Sequence, residues 1–210
     1  MRGKWLFISV LIILAAGCAS GKPANTIDYF MLDYPPPGIQ EAARLDEVIK
    51  IERFSVAHLF NSNAIVFRTG SYGLRTFHHE RWKTNPGNMV TDYLIRDCRH
   101  AGLFRAVFSY RDPEASRFIL EGGVVEFLEV EQQDGRKALL SITVTLLDLK
   151  QTEIPKKVIF QKSYSHAAKC SEKGPGGLAR GLSESMERLS GQIISDVYHA
   201  VKSLKSTPGG

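Results

Sequence analysis

Residues 118–149, FILEGGVVEFLEVEQQDGRKALLSITVTLLDL, contain the pattern that decides the fold. Apolar and polar residues alternate from Phe118 to Gln132 and again from Lys137 to Leu149, as in half-buried β-strands. Asp134-Gly135 lies between the two runs, and this dipeptide favours a type I′ turn, in which both central residues have positive φ. The stretch therefore predicts a long β-hairpin, and strict alternation would place Val124-Glu126-Leu128-Val130 on one face.

Shorter apolar runs on both sides of this hairpin predict further strands, because each is bounded by turn-forming residues. A second hairpin is expected around Thr69 to Gly73, whereas Pro35-Pro36-Pro37-Gly38 is incompatible with either helix or strand. The additional strands are predicted at Tyr29–Leu32, Val48–Phe54, Ile65–Arg68, Leu74–Phe77, Arg105–Phe108 and Val158–Ser165.

Two amphipathic helices are also predicted. The first begins at Asn85-Pro86, since Asn caps free amides and Pro is tolerated at the first helical position, and it ends at Gly102. The second covers about 25 residues, with apolar residues at helical spacing from Leu178 to Val201, after a flexible connector at Lys173–Gly177. We therefore expect an α+β fold, in which both helices pack on one face of a mainly antiparallel sheet.

The N-terminus has the layout of a secretory signal, with two cations, ten mostly apolar residues (5–14) and then small residues. An apolar helix of that length reaches about 15 Å, half of the roughly 30 Å hydrocarbon core of a bilayer. Leu14-Ala15-Ala16-Gly17-Cys18 resembles the bacterial lipobox, which implies cleavage before Cys18 and attachment of fatty acyl chains, such as palmitate, to this residue. Ordinary cleavage near Gly17 and an uncleaved anchor are the alternatives.

This interpretation divides the chain into four parts. Residues 1–17 are a signal peptide, 18–26 a lipidated cysteine with a short tether, 27–204 a single α+β domain, and 205–210 a disordered tail. Several acyl chains on Cys18 would hold the protein firmly on a membrane. Ala19 follows the cysteine where many Gram-negative bacteria read Asp as a signal for the inner membrane, so the resemblance favours the periplasmic face of the outer membrane.

Charge and cysteine content narrow the range of functions. Without residues 1–17, 25 Lys and Arg remain against 22 Asp and Glu, a net charge of +3. This mild excess has no clustered basic stripe, so we expect no nucleic-acid partner.

Cys98 and Cys170 would lie in an oxidising compartment, where they either form a disulfide or remain separate thiols. The sequence leaves both options open.

In the order and spacing of its motifs, the chain over residues 27–203 resembles the ABC-type transport auxiliary lipoprotein family (PqiC-like). The resemblance is carried by Ile51–Ala57, Asn61–Arg68, Trp82 and Pro86, together with the long C-terminal helix. Members accompany transporters with MCE (mammalian cell entry) domains, which move phospholipids or other hydrophobic molecules between membranes. The resemblance implies a non-enzymatic component with an MCE-domain protein and ABC transporter components as partners. An assembly or structural lipoprotein of another envelope complex is the alternative, and the chain could form a homo-oligomer.

The segment Asn61-Ser62-Asn63, followed by the predicted strand Ile65–Arg68, is a candidate for binding a partner. A tight turn leading into a buried strand would explain much of its pattern, because Asn tolerates turn conformations. The functional alternative is that the Phe67/Arg68 strand and Arg75/Phe77 expose an edge, which a partner strand or an MCE needle joins. Trp82 would lie either in the core or at the interface. The candidate residues are Asn61, Asn63, Phe67, Arg68, Arg75, Phe77 and Trp82.

No catalytic, metal or cofactor site is predicted. His78 and His79 are neighbours on a strand and point to opposite faces, so they are poorly placed to chelate one ion. The chain also lacks the Gly-x-Ser-x-Gly motif of a nucleophile elbow. We therefore expect a protein that is not an enzyme.

Overall fold

The structure, a computed structural model, describes residues 26–41, 43–132 and 135–206. The signal peptide, Cys18, the tether up to Asn25, Asp134 of the predicted turn and residues 207–210 lie outside the described residues. The elements are β1 (Asp28–Phe30), β2 (Leu45–Ile51), β3 (Ser55–Val56), a 3-10 turn (His58–Phe60), β4 (Ala64–Thr69), β5 (Gly73–Trp82), α1 (Pro86–Ala101), β6 (Phe104–Ser109), β7 (Phe118–Gln132), β8 (Gly135–Asp148), α2 (Ile154–Lys157), β9 (Val158–Lys169) and α3 (Pro175–Ser206).

The long hairpin predicted from residues 118–149 is present as β7 and β8. The two strands pair antiparallel from Phe118 opposite Asp148 to Gln132 opposite Gly135. A β-bulge between Val124 and Glu126 shifts the register of β7. The prediction of strict alternation along this strand is therefore wrong. Residues 127–130, including the acidic Glu129, are all buried, so both faces of this part of β7 are covered.

The nine strands of the described residues form one mixed sheet, which corrects the expectation of a mainly antiparallel one. The pairs β4–β5, β7–β8 and β8–β9 are antiparallel. The other side of β7 pairs in parallel with β2, β3 and β4 in turn, and the pairs β2–β6 and β1–β5 are also parallel. Parallel partners are distant in sequence and need crossover connections, so no local turn signal reveals them.

Helix α1 begins and ends where the sequence predicts. The Asn85 side chain accepts a hydrogen bond from the Gly87 amide at 2.8 Å, Pro86 is the first helical residue, and Gly102 ends the helix with φ 64°. Such left-handed backbone at a helix C-terminus strongly favours glycine. α1 contacts β6, β7 and α3.

Helix α3 is longer than predicted, with 32 residues. It begins at Pro175, inside the segment expected to be a connector, because Pro fits the first turn of a helix. It also extends to Ser206, two residues into the segment expected to be a tail. Its apolar stripe packs against β8 and β9, and Leu182, Met186 and Ile193 are fully buried there.

Candidate docking site

The β4–β5 hairpin, residues 64–82, carries most of the residues predicted to bind a partner. Its strands pair from Thr69 opposite Gly73 to Ala64 opposite Arg81. Gly70 has φ 63°, and a Cβ on Gly73 would lie 2.7 Å from the Thr69 carbonyl oxygen, so both glycines suit the tight turn. The hairpin predicted around Thr69 to Gly73 is confirmed.

The open edge of this hairpin belongs to β5. β4 is paired on both sides, with β5 and with β7, so Phe67 and Arg68 lie on an interior strand. β5 pairs on its outer side with β1 at residues 80–82, and no other described strand pairs there. Of the two strands that the edge hypothesis names, the Phe67/Arg68 strand is therefore interior, in agreement with the alternative of a turn leading into a buried strand, whereas the Arg75/Phe77 strand provides the open edge.

Side chains of β5 itself cover part of this edge. The Arg81 guanidinium donates hydrogen bonds to the carbonyl oxygens of Phe77 and Glu80, at 2.6 and 2.8 Å. The Glu80 carboxylate accepts a hydrogen bond from the His79 amide at 3.1 Å. Because these groups are already bonded, residues 73–76 are the part of β5 best suited to strand addition.

The tip of the hairpin exposes apolar and cationic side chains together. Tyr72 is 99 % exposed and Leu74 is 43 % exposed, and Arg75 beside them is also exposed. Behind the tip, the rings of Phe67 and Phe77 lie 4.7 Å apart and are half-buried, so they support the exposed residues. A fully exposed aromatic ring next to an arginine is a common composition for the centre of a protein interface.

An open groove of about 750 Å³ lies between this tip and the end of the β7–β8 hairpin. Arg68 and Ser71 line one wall, whereas Val130, Glu131 and Leu139 contribute to the other. The groove thus combines apolar surface with charges of both signs. We refer to this groove and the exposed tip residues Tyr72, Leu74 and Arg75 as the docking tip.

The remaining predicted residues support the base of the hairpin instead. Trp82 is 1 % exposed and its ring meets that of Phe127 edge-on at 5.2 Å, so it belongs to the core. The Asn63 carbonyl accepts the Trp82 amide hydrogen bond at 2.8 Å. The Asn61 side-chain oxygen accepts a hydrogen bond from Asn85, the cap of α1, at 3.0 Å.

Sequence reasoning missed Tyr72 and Leu74, the most exposed apolar residues of the docking tip. A tyrosine between Gly70 and Gly73 has no core to join, because a tight turn projects its side chains into solvent. This placement is the signal that could have identified it.

Neither Cys98 nor Cys170 forms a disulfide; both are buried, free thiols. Burial raises the pKa of Cys98 to about 12 and that of Cys170 to about 11. Cys170 directly follows β9, and its amide donates a hydrogen bond to the Arg136 carbonyl at 2.9 Å.

The described residues contain neither a metal-binding cluster nor a helix suited to crossing a membrane. Residues 26–41, 43–132 and 135–206 contain no group of three His, Cys, Asp or Glu side chains arranged to hold a metal ion. In the same part of the chain, no helix combines the length and apolar character needed to cross a bilayer.

Residues 30–194 match the family model described as "ABC-type transport auxiliary lipoprotein component". The chain belongs to this family. The match covers the domain from the end of β1 into α3 and includes the whole docking tip. Membership identifies the chain as an auxiliary component of ABC-type transport.

Solved structures resemble this family member in fold. A DUF330-family protein of Xanthomonas campestris superposes with a TM-score of 0.74 at 16 % identity, covering 87 % of this chain and 99 % of that protein. An uncharacterized protein gives 0.64 at 13 % identity, covering 82 % and 99 %. A hypothetical protein of Chlamydia trachomatis gives 0.51 at 10 % identity, covering 75 % and 98 %. A search of curated proteins found no significant match.

Proposed function

We propose that this chain is a lipid-anchored, non-catalytic component of an ABC/MCE-type system that moves lipids between the inner and outer membranes. The observation that carries the proposal is the family match over residues 30–194. The lipobox-like sequence that ends at Cys18 supports it, because it precedes the matched domain and provides a means of attachment.

Acyl chains on Cys18 fix the protein on the periplasmic face of the outer membrane. Two or more chains are needed for stable attachment, since a single chain gives only marginal, reversible binding. The residues that follow Cys18, up to Thr26, are small or polar apart from Pro23, which suits a short tether. Ala19 after the cysteine favours the outer membrane.

The docking tip binds the MCE-domain partner. Tyr72 and Leu74 provide apolar area and Arg75 provides charge, while the free edge at residues 73–76 can accept a partner strand. Three features therefore meet at one end of the domain: an exposed aromatic anchor, a neighbouring cation and unpaired backbone groups. The tip is far from the base of the hairpin, where Trp82 and the asparagines stabilise the fold.

A role without catalysis fits the described side chains. The hydroxyl–histidine contact in the described residues joins Ser185 of α3 to the His166 ring at 3.1 Å. It links the helix to β9 and has no carboxylate beside it to orient the ring, as a catalytic triad requires. We interpret it as part of the packing between α3 and the sheet.

Deletion and complementation in the native bacterium test this function. We expect deletion to raise outer-membrane permeability to detergents, and the wild-type gene to restore the barrier. Cys18→Ala should fail to restore it, because the protein then carries no acyl chains to hold it on the outer membrane. Unchanged permeability after deletion, or cross-linking in cells to a different envelope complex, would favour the structural-lipoprotein alternative.

A further inference from the structure

Residues 27–31, which include strand β1, present an unusual row of apolar side chains to solvent. Phe30 and Leu32 point into the core, and Leu32 is fully buried. Ile27, Tyr29 and Met31 point the other way and are 45, 56 and 58 % exposed. Single exposed apolar residues are normal on protein surfaces, but three in alternation, one on the edge strand and one on each side of it, form a continuous face.

This apolar face is held in a fixed position. The Phe30 carbonyl accepts the Lys83 amide hydrogen bond at 2.7 Å, and Tyr29 lies in parallel register with Arg81 of β5. The Tyr93 hydroxyl of α1 donates a hydrogen bond to the Leu32 carbonyl. The exposure of Ile27, Tyr29 and Met31 is thus a property of the fold, since the Lys83 amide and the Tyr93 hydroxyl both bind the backbone of this segment and hold it in this orientation.

The face continues into a small, mainly apolar groove of about 330 Å³. Met31, Met89 and Tyr93 supply apolar walls, and Lys83 and Asp92 supply charges of opposite sign. The Lys83 ammonium also lies 4.9 Å from the centre of the Tyr29 ring. Tyrosine and lysine are the residues that tolerate the boundary between lipid and water, because each has an apolar body and a polar end.

The position of this face relative to the proposed anchor limits what can cover it. Eight residues separate Cys18 from Ile27, and a fully extended chain of that length spans at most about 30 Å. If Cys18 is acylated, Ile27 stays within that distance of the headgroups. Such tethering keeps the effective concentration of membrane surface high, so a modest apolar patch is enough to stay bound.

We propose that the face formed by Ile27, Tyr29 and Met31, with the adjoining groove, lies on the phospholipid surface that holds the acylated N-terminus. The domain is then oriented on the membrane instead of moving freely at the end of its tether. Lys83 and Asp92 offset each other, and Arg96, which also lines the groove, is paired with the buried Asp97 at 2.7 Å. Apolar insertion therefore drives the contact and net charge contributes little. This inference rests on the proposed anchoring through Cys18, but it makes a separate claim.

The test uses two tryptophan variants of the full-length, lipidated protein. Tyr29→Trp places the probe on the proposed membrane face, and Tyr72→Trp is the matched control, because Tyr72 is almost fully exposed on the docking tip. After removal of residues 1–17, the remaining natural tryptophan is the buried Trp82, a background common to both variants. Each variant is reconstituted in phosphatidylethanolamine–phosphatidylglycerol vesicles, with or without lipids brominated in their acyl chains.

We expect brominated lipid to quench the probe emission of Tyr29→Trp roughly twofold, since residues of an interfacial patch lie about 5–10 Å into the bilayer boundary. The probe of Tyr72→Trp should be unaffected, and high salt should leave the quenching of the Tyr29→Trp variant unchanged. Adding Ile27→Ser and Met31→Ser to the Tyr29→Trp variant should reduce the quenching.

Several outcomes would overturn the inference. Equal or absent quenching of the two probes in protein that floats with the vesicles would refute the orientation and leave the anchoring intact. If the Tyr29→Trp probe is protected from aqueous iodide but is not quenched by bromolipid, a protein surface covers the face instead. A mature protein whose mass includes no acyl groups would refute both the anchoring and the orientation.

Discussion

The hydroxyl of Tyr34 donates a 2.8 Å hydrogen bond to the carboxylate of Asp97, a residue with no solvent exposure. Ser190 of α3 donates to the same carboxylate at 2.6 Å, and Arg96 donates to its other oxygen at 2.8 Å. One buried charge thereby joins α1, α3 and the segment that follows β1. Burial and the adjacent carboxylate raise the pKa of Tyr34 far above its usual range, so its hydroxyl stays protonated as a donor.

The first prediction concerns this buried carboxylate. Tyr34→Phe should lower the free energy of unfolding by about 1.5–3 kcal/mol, the usual cost of losing a hydrogen bond to a charged group. Asp97→Ala should cost about 3–5 kcal/mol, because it leaves a cation and two donors without their partner. Urea unfolding measures both. Asp92→Ala, an exposed change on the same helix, should stay within about 0.5 kcal/mol, and a similarly small effect of Asp97→Ala would contradict this account.

The second prediction concerns acid stability. Arg117 binds Asp148 through two hydrogen bonds of 2.9 and 2.7 Å, across the ends of β7 and β8. The bonds from Arg117 hold the pKa of Asp148 below its usual value of 3.8. A lowered pKa in the folded state means that the contribution of Asp148 to stability is complete above pH 3.8 and is lost as the pH falls through the lower, folded value.

Asp148→Asn should therefore destabilise the protein by about 1.5–3 kcal/mol at pH 7, with a smaller difference from wild type as the pH falls below 3.8. Urea midpoints across the acid range provide the measurement. Asp46→Asn is the control, because the ion pair of Asp46 with Arg105 is exposed and should contribute at most about 0.5 kcal/mol. A wild-type–variant difference that stays constant with pH would refute the linkage.

The third prediction has the opposite pH dependence. Glu129 is 4 % exposed, and burial raises its pKa above the usual 4.5 although Arg136 acts against the shift. The folded state therefore binds a proton more tightly than the unfolded state, and Glu129 costs stability as the pH rises above 4.5. Glu129→Gln should raise the urea midpoint at neutral pH and have little effect at low pH. Glu121→Gln, an exposed change on the same strand, should leave the urea midpoint unchanged at both neutral and low pH. A lower midpoint for Glu129→Gln at neutral pH would show that the Arg136 pair dominates.

The fourth prediction concerns the two cysteines of the domain. Both thiols are buried, and raised pKa values keep them protonated at neutral pH, so they should react very slowly with a thiol reagent in the native protein. In urea without reductant, both should react. If neither thiol reacts in urea without reductant, the two residues instead form a Cys98–Cys170 disulfide.

Local signals in the sequence were sufficient for most of the secondary structure. Asn85, Pro86 and Gly102 define α1 because each satisfies a specific requirement of a helix end. Glycine turns likewise identified both hairpins. These signals depend on neighbouring residues alone, so they can be recognised before any tertiary contact is known.

Features that depend on distant residues could not be predicted in this way. The parallel pairing of β7 with β2, β3 and β4 joins segments far apart in sequence. The bulge after Val124 changes which residues of β7 face the helices, and the Gly122-Gly123 pair before it is compatible with a bulge but does not fix its position. The same limit applies to the docking tip, because the pairing of β4 with β7 that places Phe67 and Arg68 inside the sheet and leaves the edge to β5 also joins segments far apart in sequence.

Direct binding between the purified, lipidated chain and the MCE-domain protein of the same genome tests the central claim. We predict a stable complex that weakens about tenfold or more when Tyr72 and Leu74 become serine and Arg75 becomes glutamate, since residues at the centre of an interface carry most of its energy. Ile154→Ser, an exposed apolar change on α2, should leave the affinity unchanged. Absence of binding by the wild-type protein would contradict the account.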